Sequence, residues 1–231
     1  MVKYFNAYDR ALQQIGVKLN QMSELAGDRL AKAMKSFIEQ DDQLAHSVIS
    51  GDDEIDALDE TIEIESINLI SLQQPVDTDL RFLIAAMRIS RELERISDYA
   101  CDIAEAVLAL KEKTPFFKPL VDLPEMARLV QEMMEKSLKA HLGKEIEVAI
   151  QMDADDDRVD QIFLALLPEL MGWMKKSSEY VEQASIILLV ARYLERIGDH
   201  IVNISEMTIF METGERHPFK NQKELKSDLK N

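Results

Sequence analysis

Glycine and proline are scarce, with 7 and 6 among 231 residues. Hairpins, sandwiches and barrels reverse the chain with Gly, Asn and Pro at each turn, so this shortage argues against a β-rich fold and for long helices. A single cysteine, Cys101, excludes an internal disulfide. No apolar run approaches the ~20 residues that span a bilayer, and the longest, Ala184 to Ala191, is under half that length. The opening MVKYFNAYDR has neither the charged segment nor the apolar stretch of a secretory signal, so the expectation is a cytoplasmic chain without membrane insertion. Basic residues are few as well: 27 Lys and Arg stand against 43 Asp and Glu, a net charge of −16. Such a chain repels a phosphate backbone, which argues against direct contact with DNA or RNA. What remains is an ordinary globular composition, 46% apolar and 30% charged, in a chain long enough to bury roughly 70% of its unfolded surface without a metal or disulfide staple.

From Val2 to Ile49 there is no proline, and the cluster Ser50, Gly51, Asp52, Asp53 both ends one helix and caps the next. A second helix is expected from Asp52 to Gln73, and a third from Asp77 to Lys113, separated by Pro75. Pro115, Pro119 and Pro124 then mark a boundary, after which the pattern recurs over Glu125 to Met152, Asp156 to Lys175 and Glu179 to Thr213. The halves also match in detail. GDDEID at 51 returns as DDDRVD at 155, and LERISDYACDIAE at 93 returns as LERIGDHIVNISE at 194. The offset falls from 104 to 101 residues between these blocks, a loss most simply placed at the QQPV turn. An internal duplication of this kind predicts an all-α protein of two tandem antiparallel three-helix bundles, over residues 1–114 and 115–214, with a polar tail over 215–231.

Chemistry concentrates in acidic stripes. Glu195, Asp199, Asn203 and Glu206 lie at steps of 4, 4 and 3, which places them within an arc of about 80° on a helix. Val190, Tyr193, Ile197, Ile201, Ile204 and Thr208 occupy the opposite face, so the carboxylates are expected to point outward. The first copy repeats the spacing with Glu94, Asp98, Asp102 and Glu105, and the helix before it carries Asp52, Asp56, Glu60 and Glu63. Its partner in the second copy keeps only Asp156 and Asp160. An acidic outer face is usually just solvated, and Arg95 and Arg196 beside the stripes offer simple salt bridges. Like charges four apart nevertheless repel by a few tenths of a kcal/mol per pair. Repeating that cost in both halves points to a compensating cation, and oxygen clusters suit hard or borderline ions such as Mg, Mn or Fe. His200 is read as a flanking hydrogen-bonding residue, because Tyr99 stands at its place in the first copy. The methionines, among them Met126, Met133, Met134, Met171 and Met174, are read as bundle filler.

Two further readings are open. A carboxylate-bridged metalloenzyme of the ferritin-like class needs Glu-x-x-His, and the residues three before His46, His141, His200 and His217 are Gln43, Leu138, Ile197 and Gly214. The scattered glycines form no phosphate loop. A structural helical adaptor without metal remains.

LERIGDH followed by NISE, the upstream LERISDY with DIAE, the QPVDTDLR segment and the late TGERHP together resemble the PhoU family of phosphate-uptake regulators over nearly the whole chain. The family's ExxxD-type motifs correspond to Asp52 with Asp56, Glu94 with Asp98, Asp156 with Asp160, and Glu195 with Asp199. The resemblance implies a cytoplasmic, non-enzymatic negative regulator of phosphate uptake and phosphate-starvation signalling. It implies action between the ATPase subunit of a phosphate ABC transporter and a sensor histidine kinase, formation of a homodimer, and iron or zinc on the motif faces. The expected metal set is those eight residues with Asp102 and Asn203. The sequence departs from the repeated motif at Ser97 against Gly198, at Tyr99 against His200, and at Leu164 and Leu167 where the first copy has Glu60 and Glu63. The two faces are therefore not expected to be equivalent.

Overall fold

The computed structural model describes residues 7–51, 53–110 and 114–215. Asp52, His217 and the polar tail beyond Glu215 lie outside the described residues. Every regular element among those described is helical: α1 (Ala7–Glu39), α2 (Asp42–Ile49), α3 (Asp53–Gln73), α4 (Asp77–Ala109), α5 (Asp122–Gly143), α6 (Ile146–Ile150), α7 (Met152–Lys176) and α8 (Val181–Thr213), with a 3₁₀ turn at Ser178–Tyr180.

Each half holds three long helices and one short one. The short helices are the departure from the sequence reading, which ran α1 with α2, and α5 with α6, as single helices. The first break comes where Gln40 adopts a positive φ of 52° and the Asp41 carboxylate caps α2, accepting from the backbone N–H of Gln43 at 2.9 Å and Leu44 at 3.0 Å. No Gly or Pro announces it. The second break follows Gly143, where Lys144 at φ 59° closes α5 in a left-handed cap. The helix Asp77–Ala109 stops short of Lys113 because Leu110 turns to extended backbone and buries its side chain. The second half opens at Asp122 rather than Glu125, with Pro124 in the first turn, where its missing N–H costs nothing.

Within the first half α1, α2 and α3 pack against α4; within the second α5, α6 and α7 pack against α8. The halves meet along α4 against α8, with α1 also touching α5. Tyr99 on α4 lies 5.7 Å from Tyr193 and 5.6 Å from His200, ring to ring, while Glu92 reaches His200, so α4 and α8 run antiparallel across the centre. One apolar core runs through both halves, from Leu19, Phe37 and Leu93 to Met126, Ile197 and Ile201. Met126, Met133 and Met134 fill it as expected, whereas Met171 is largely exposed. The proline-rich connection is packed rather than free: Phe116 contacts Phe37 at 5.3 Å, and Phe117 lies 5.2 Å from Trp173 and 5.1 Å from Tyr180. No helix of the described residues is long and apolar enough to cross a membrane.

Candidate functional site

The carboxylates do not point outward as the helical wheel suggested. α7 packs along α8, and the stripe begun by Glu195 lies in the seam between them, so its groups are half-buried. The wheel located the core face of α8 correctly, with Val190, Ile197, Ile201, Ile204 and Thr208 buried, but it could not show that a neighbouring helix covers the flank of the acidic stripe.

Asp156 and Asp160 of α7 converge there with Glu195 and Asp199 of α8. Burial, then the charges of Asp160, Asp199, Glu195 and Asp153, push the Asp156 carboxyl up to about 8. Burial and then Asp199 push Glu195 up to about 7 against the opposing pull of Arg192 and Arg196. Burial, then Asp199 and Asp157, raise Asp160 to about 6. The arginines therefore compensate only part of the charge. Arg192 bonds Glu195, and Arg196 Nη1 lies 3.2 Å from Asp199 Oδ2. Asp156 Oδ1 and Glu195 Oε2 are buried without a hydrogen-bond partner. This close approach depends on Gly198: a Cβ at that position would meet Asp156 Oδ1 far inside van der Waals contact.

In the first half Arg91 and Arg95 stand where Arg192 and Arg196 stand in the second. Arg91 Nη1 lies 2.7 Å from Glu94 Oε1 and 3.7 Å from Asp59 Oδ2, and Arg95 Nη1 lies 3.1 Å from Asp98 Oδ2. Burial and Asp98 raise the Glu94 carboxyl, partly offset by Arg91 and Arg95. Burial, Glu105 and Asp98 raise Asp102. Asp56 is exposed, unlike its half-buried counterpart Asp160. Asp59 adds a further partner for Arg91, accepting from Ser90 Oγ at 2.6 Å, whereas Arg192 meets the Phe163 ring at the matching place.

Asn203 does not join the second face. Its Nδ2 donates to Glu92 Oε2 at 3.1 Å, across the junction of the halves, and His200 Nδ1 shares the same oxygen at 2.6 Å. His200 is thus a hydrogen-bonding residue, as its mismatch with Tyr99 suggested. The sequence reading missed Glu92, Arg29 and Arg192. The signal for Arg29 was Ser97, since the hydroxyl that replaces Gly198 accepts from the buried Arg29 guanidinium.

The second face fits an oxygen-preferring cation in its chemistry. It offers several carboxylates, two of them with orphaned buried oxygens, and too little fixed positive charge. Among the described residues no three His, Cys, Asp or Glu side chains are gathered to hold an ion as they stand, so binding requires side-chain rotation.

A duplicated all-helical protein with paired acidic motifs on facing helices, and no array of nucleophile, base and oxyanion donors on those faces, belongs to the class of helical regulators and adaptors. Comparison with known proteins is specific. The PhoU domain matches twice, over residues 19–107 and 123–208. The chain is 33% identical over 209 residues to the phosphate-specific transport system accessory protein PhoU homolog of Caulobacter vibrioides, covering 90% of this chain and 91% of that one. It is 35% identical over 209 residues to PhoU homolog 1 of Methanothermobacter thermautotrophicus, covering 90% and 95%. The crystal structure of the phosphate transport system regulatory protein PhoU from Streptococcus pneumoniae superposes with a TM-score of 0.85 at 30% identity, over 92% of this chain and all of that one. PhoU from Pseudomonas aeruginosa gives the same score at 28% identity, over 90% and 100%. The chain belongs to the PhoU family.

Proposed function

We propose that this protein represses phosphate uptake and phosphate-starvation signalling by contacting other proteins: the ATPase subunit of a phosphate ABC transporter and the sensor histidine kinase of the associated two-component system. It does so without catalysis, in the cytoplasm and as a homodimer. The observation that carries this reading is relatedness over about nine-tenths of the chain to proteins named as accessory to the phosphate-specific transport system. The charge of −16 supports contact with proteins rather than with a promoter.

The acidic faces belong to the same proposal as sites for iron, zinc or another divalent or trivalent cation. On the second face Asp156, Asp160, Glu195 and Asp199 would hold it. A bound cation would neutralise the carboxylates and tie α7 to α8, fixing the surface those helices offer a partner. Deleting the gene should leave a starvation-induced phosphatase reporter switched on in phosphate-rich medium, and restoring the chain should silence it. A reporter that stays repressed after deletion overturns the reading. The absence of a gathered ligand set favours a second reading, an adaptor that works without metal. Repression by a chain stripped of metal and altered at both faces would select it.

A further inference from the structure

The duplication makes each half a control for the other, and the halves differ at one buried point. Residue 97 on α4 and residue 198 on α8 occupy the same place in the repeated LERI segments. In the first half this residue is Ser97, fully buried, and the Arg29 side chain of α1 is bonded to it: Nη1 donates to Ser97 Oγ and Nη2 to the Gly51 carbonyl. Arg29 is itself only 8% exposed. Its two partners adjoin the motif pairs, Ser97 standing just before Asp98 and Gly51 just before Asp52. A permanent positive charge is thus built into the junction of the two first-half motifs.

In the second half the residue is Gly198, and the α5 side chain beside it is Val130. No guanidinium enters from that helix. The Asp156 carboxylate closes on Gly198 instead, with Oδ1 buried and unpartnered. The arginines along each stripe do not account for the contrast, because Arg91 and Arg95 in one half match Arg192 and Arg196 in the other. Burying a carboxylate against other carboxylates without a cation is costly, and the first half has met that cost covalently.

We propose that the Arg29 guanidinium is a resident cation filling, in the first half, the role that Gly198 and Asp156 leave to a metal ion in the second, so that metal uptake is confined to the Asp156, Asp160, Glu195 and Asp199 face. This rests on the metal reading given above and adds the asymmetry.

The test is calorimetric titration of the full chain, stripped with chelator, with Zn²⁺ and separately with Mn²⁺, alongside elemental analysis. The wild-type chain should show one class of site. Asp156→Asn and Glu195→Gln should each weaken it by about tenfold or more, while Glu94→Gln combined with Asp98→Asn leaves it within about twofold of wild type. Arg29→Met should create a second class of site, which Glu94→Gln then removes. If Arg29→Met does not fold, the comparison of the two faces decides alone. Equal loss from first-face and second-face variants overturns the asymmetry while leaving metal binding in place. A folded Arg29→Met that gains no site overturns the role of Arg29. Uptake by none of these proteins overturns both proposals.

Discussion

His200 Nδ1 on α8 lies 2.6 Å from Glu92 Oε2 on α4, and Asn203 Nδ2 donates to the same oxygen at 3.1 Å. One carboxylate of the first half thereby anchors two side chains of the second, at the centre of the surface that joins them. All three groups are half-buried, in a setting where hydrogen bonds to a charged group are worth more than on an open surface. Glu92→Gln and His200→Phe should each lower unfolding free energy by about 1–2 kcal/mol. A double-mutant cycle in urea should show coupling of about 1 kcal/mol; additivity would mean the contact joins nothing.

The second face should make the metal-free chain less stable as pH rises. The Asp156 carboxyl sits at about 8 in the fold against 3.8 for the free side chain. Between these values the native state holds a proton that the unfolded state has released. This group's contribution is therefore fully present below about 4 and is lost as pH climbs through 8. Glu195 and Asp160, pushed up to about 7 and about 6, act in the same direction. Asp156→Asn should flatten the fall in thermal midpoint from pH 5 to pH 8 and raise stability at pH 8. A slope identical to wild type would count against the buried cluster.

Gly198→Ala places a methyl group where Asp156 Oδ1 now rests. In most helices this exchange adds up to about 1 kcal/mol of stability. Here the gain should be cancelled, because the carboxylate must swing away. The sharper readout is the pH slope, which should flatten as it does in Asp156→Asn. A stabilised variant with an unchanged slope would show that Asp156 does not occupy that space.

His141 is buried, its Nδ1 is 3.2 Å from Thr208 Oγ1, and its ring stacks on Phe82 at 6.0 Å. Burial, with a smaller push from Lys144, lowers its pKa from 6.5 to about 4. The unfolded chain takes up that proton first, so stability from this group is present above about 6.5 and is lost as pH falls towards 4. His141→Leu also removes the buried, unpartnered Nε2 while Thr208 keeps its bond to the Ile204 carbonyl. The variant should lose less stability than wild type between pH 6.5 and 4. An equal or steeper loss would place the acid sensitivity elsewhere.

The duplicated helices and the core face of α8 were legible in the sequence because both are periodic. Apolar spacing fixes which side of a helix is buried, and two copies of LERI fix the register of one half on the other. The short helices α2 and α6 were not legible, since Gln40 and Lys144 reach positive φ without a glycine at either position. The four second-face carboxylates were named correctly as a group, but their burial depends on how α7 lies along α8, which no single-helix pattern contains. Asn203 was misplaced for the same reason: its partner Glu92 lies more than a hundred residues away in the chain. Arg29 left only an indirect trace, the serine at position 97.

Saturable binding of the purified chain to a purified phosphate-transporter ATPase subunit, and to the cytoplasmic part of the sensor kinase, tests the central claim most directly. Isothermal titration at physiological salt should give a defined stoichiometry with at least one of them, and no shift of promoter DNA under the same conditions. A chain that binds promoter DNA, yet neither protein at concentrations up to about 100 μM, a binding free energy of about −5.5 kcal/mol, would contradict it.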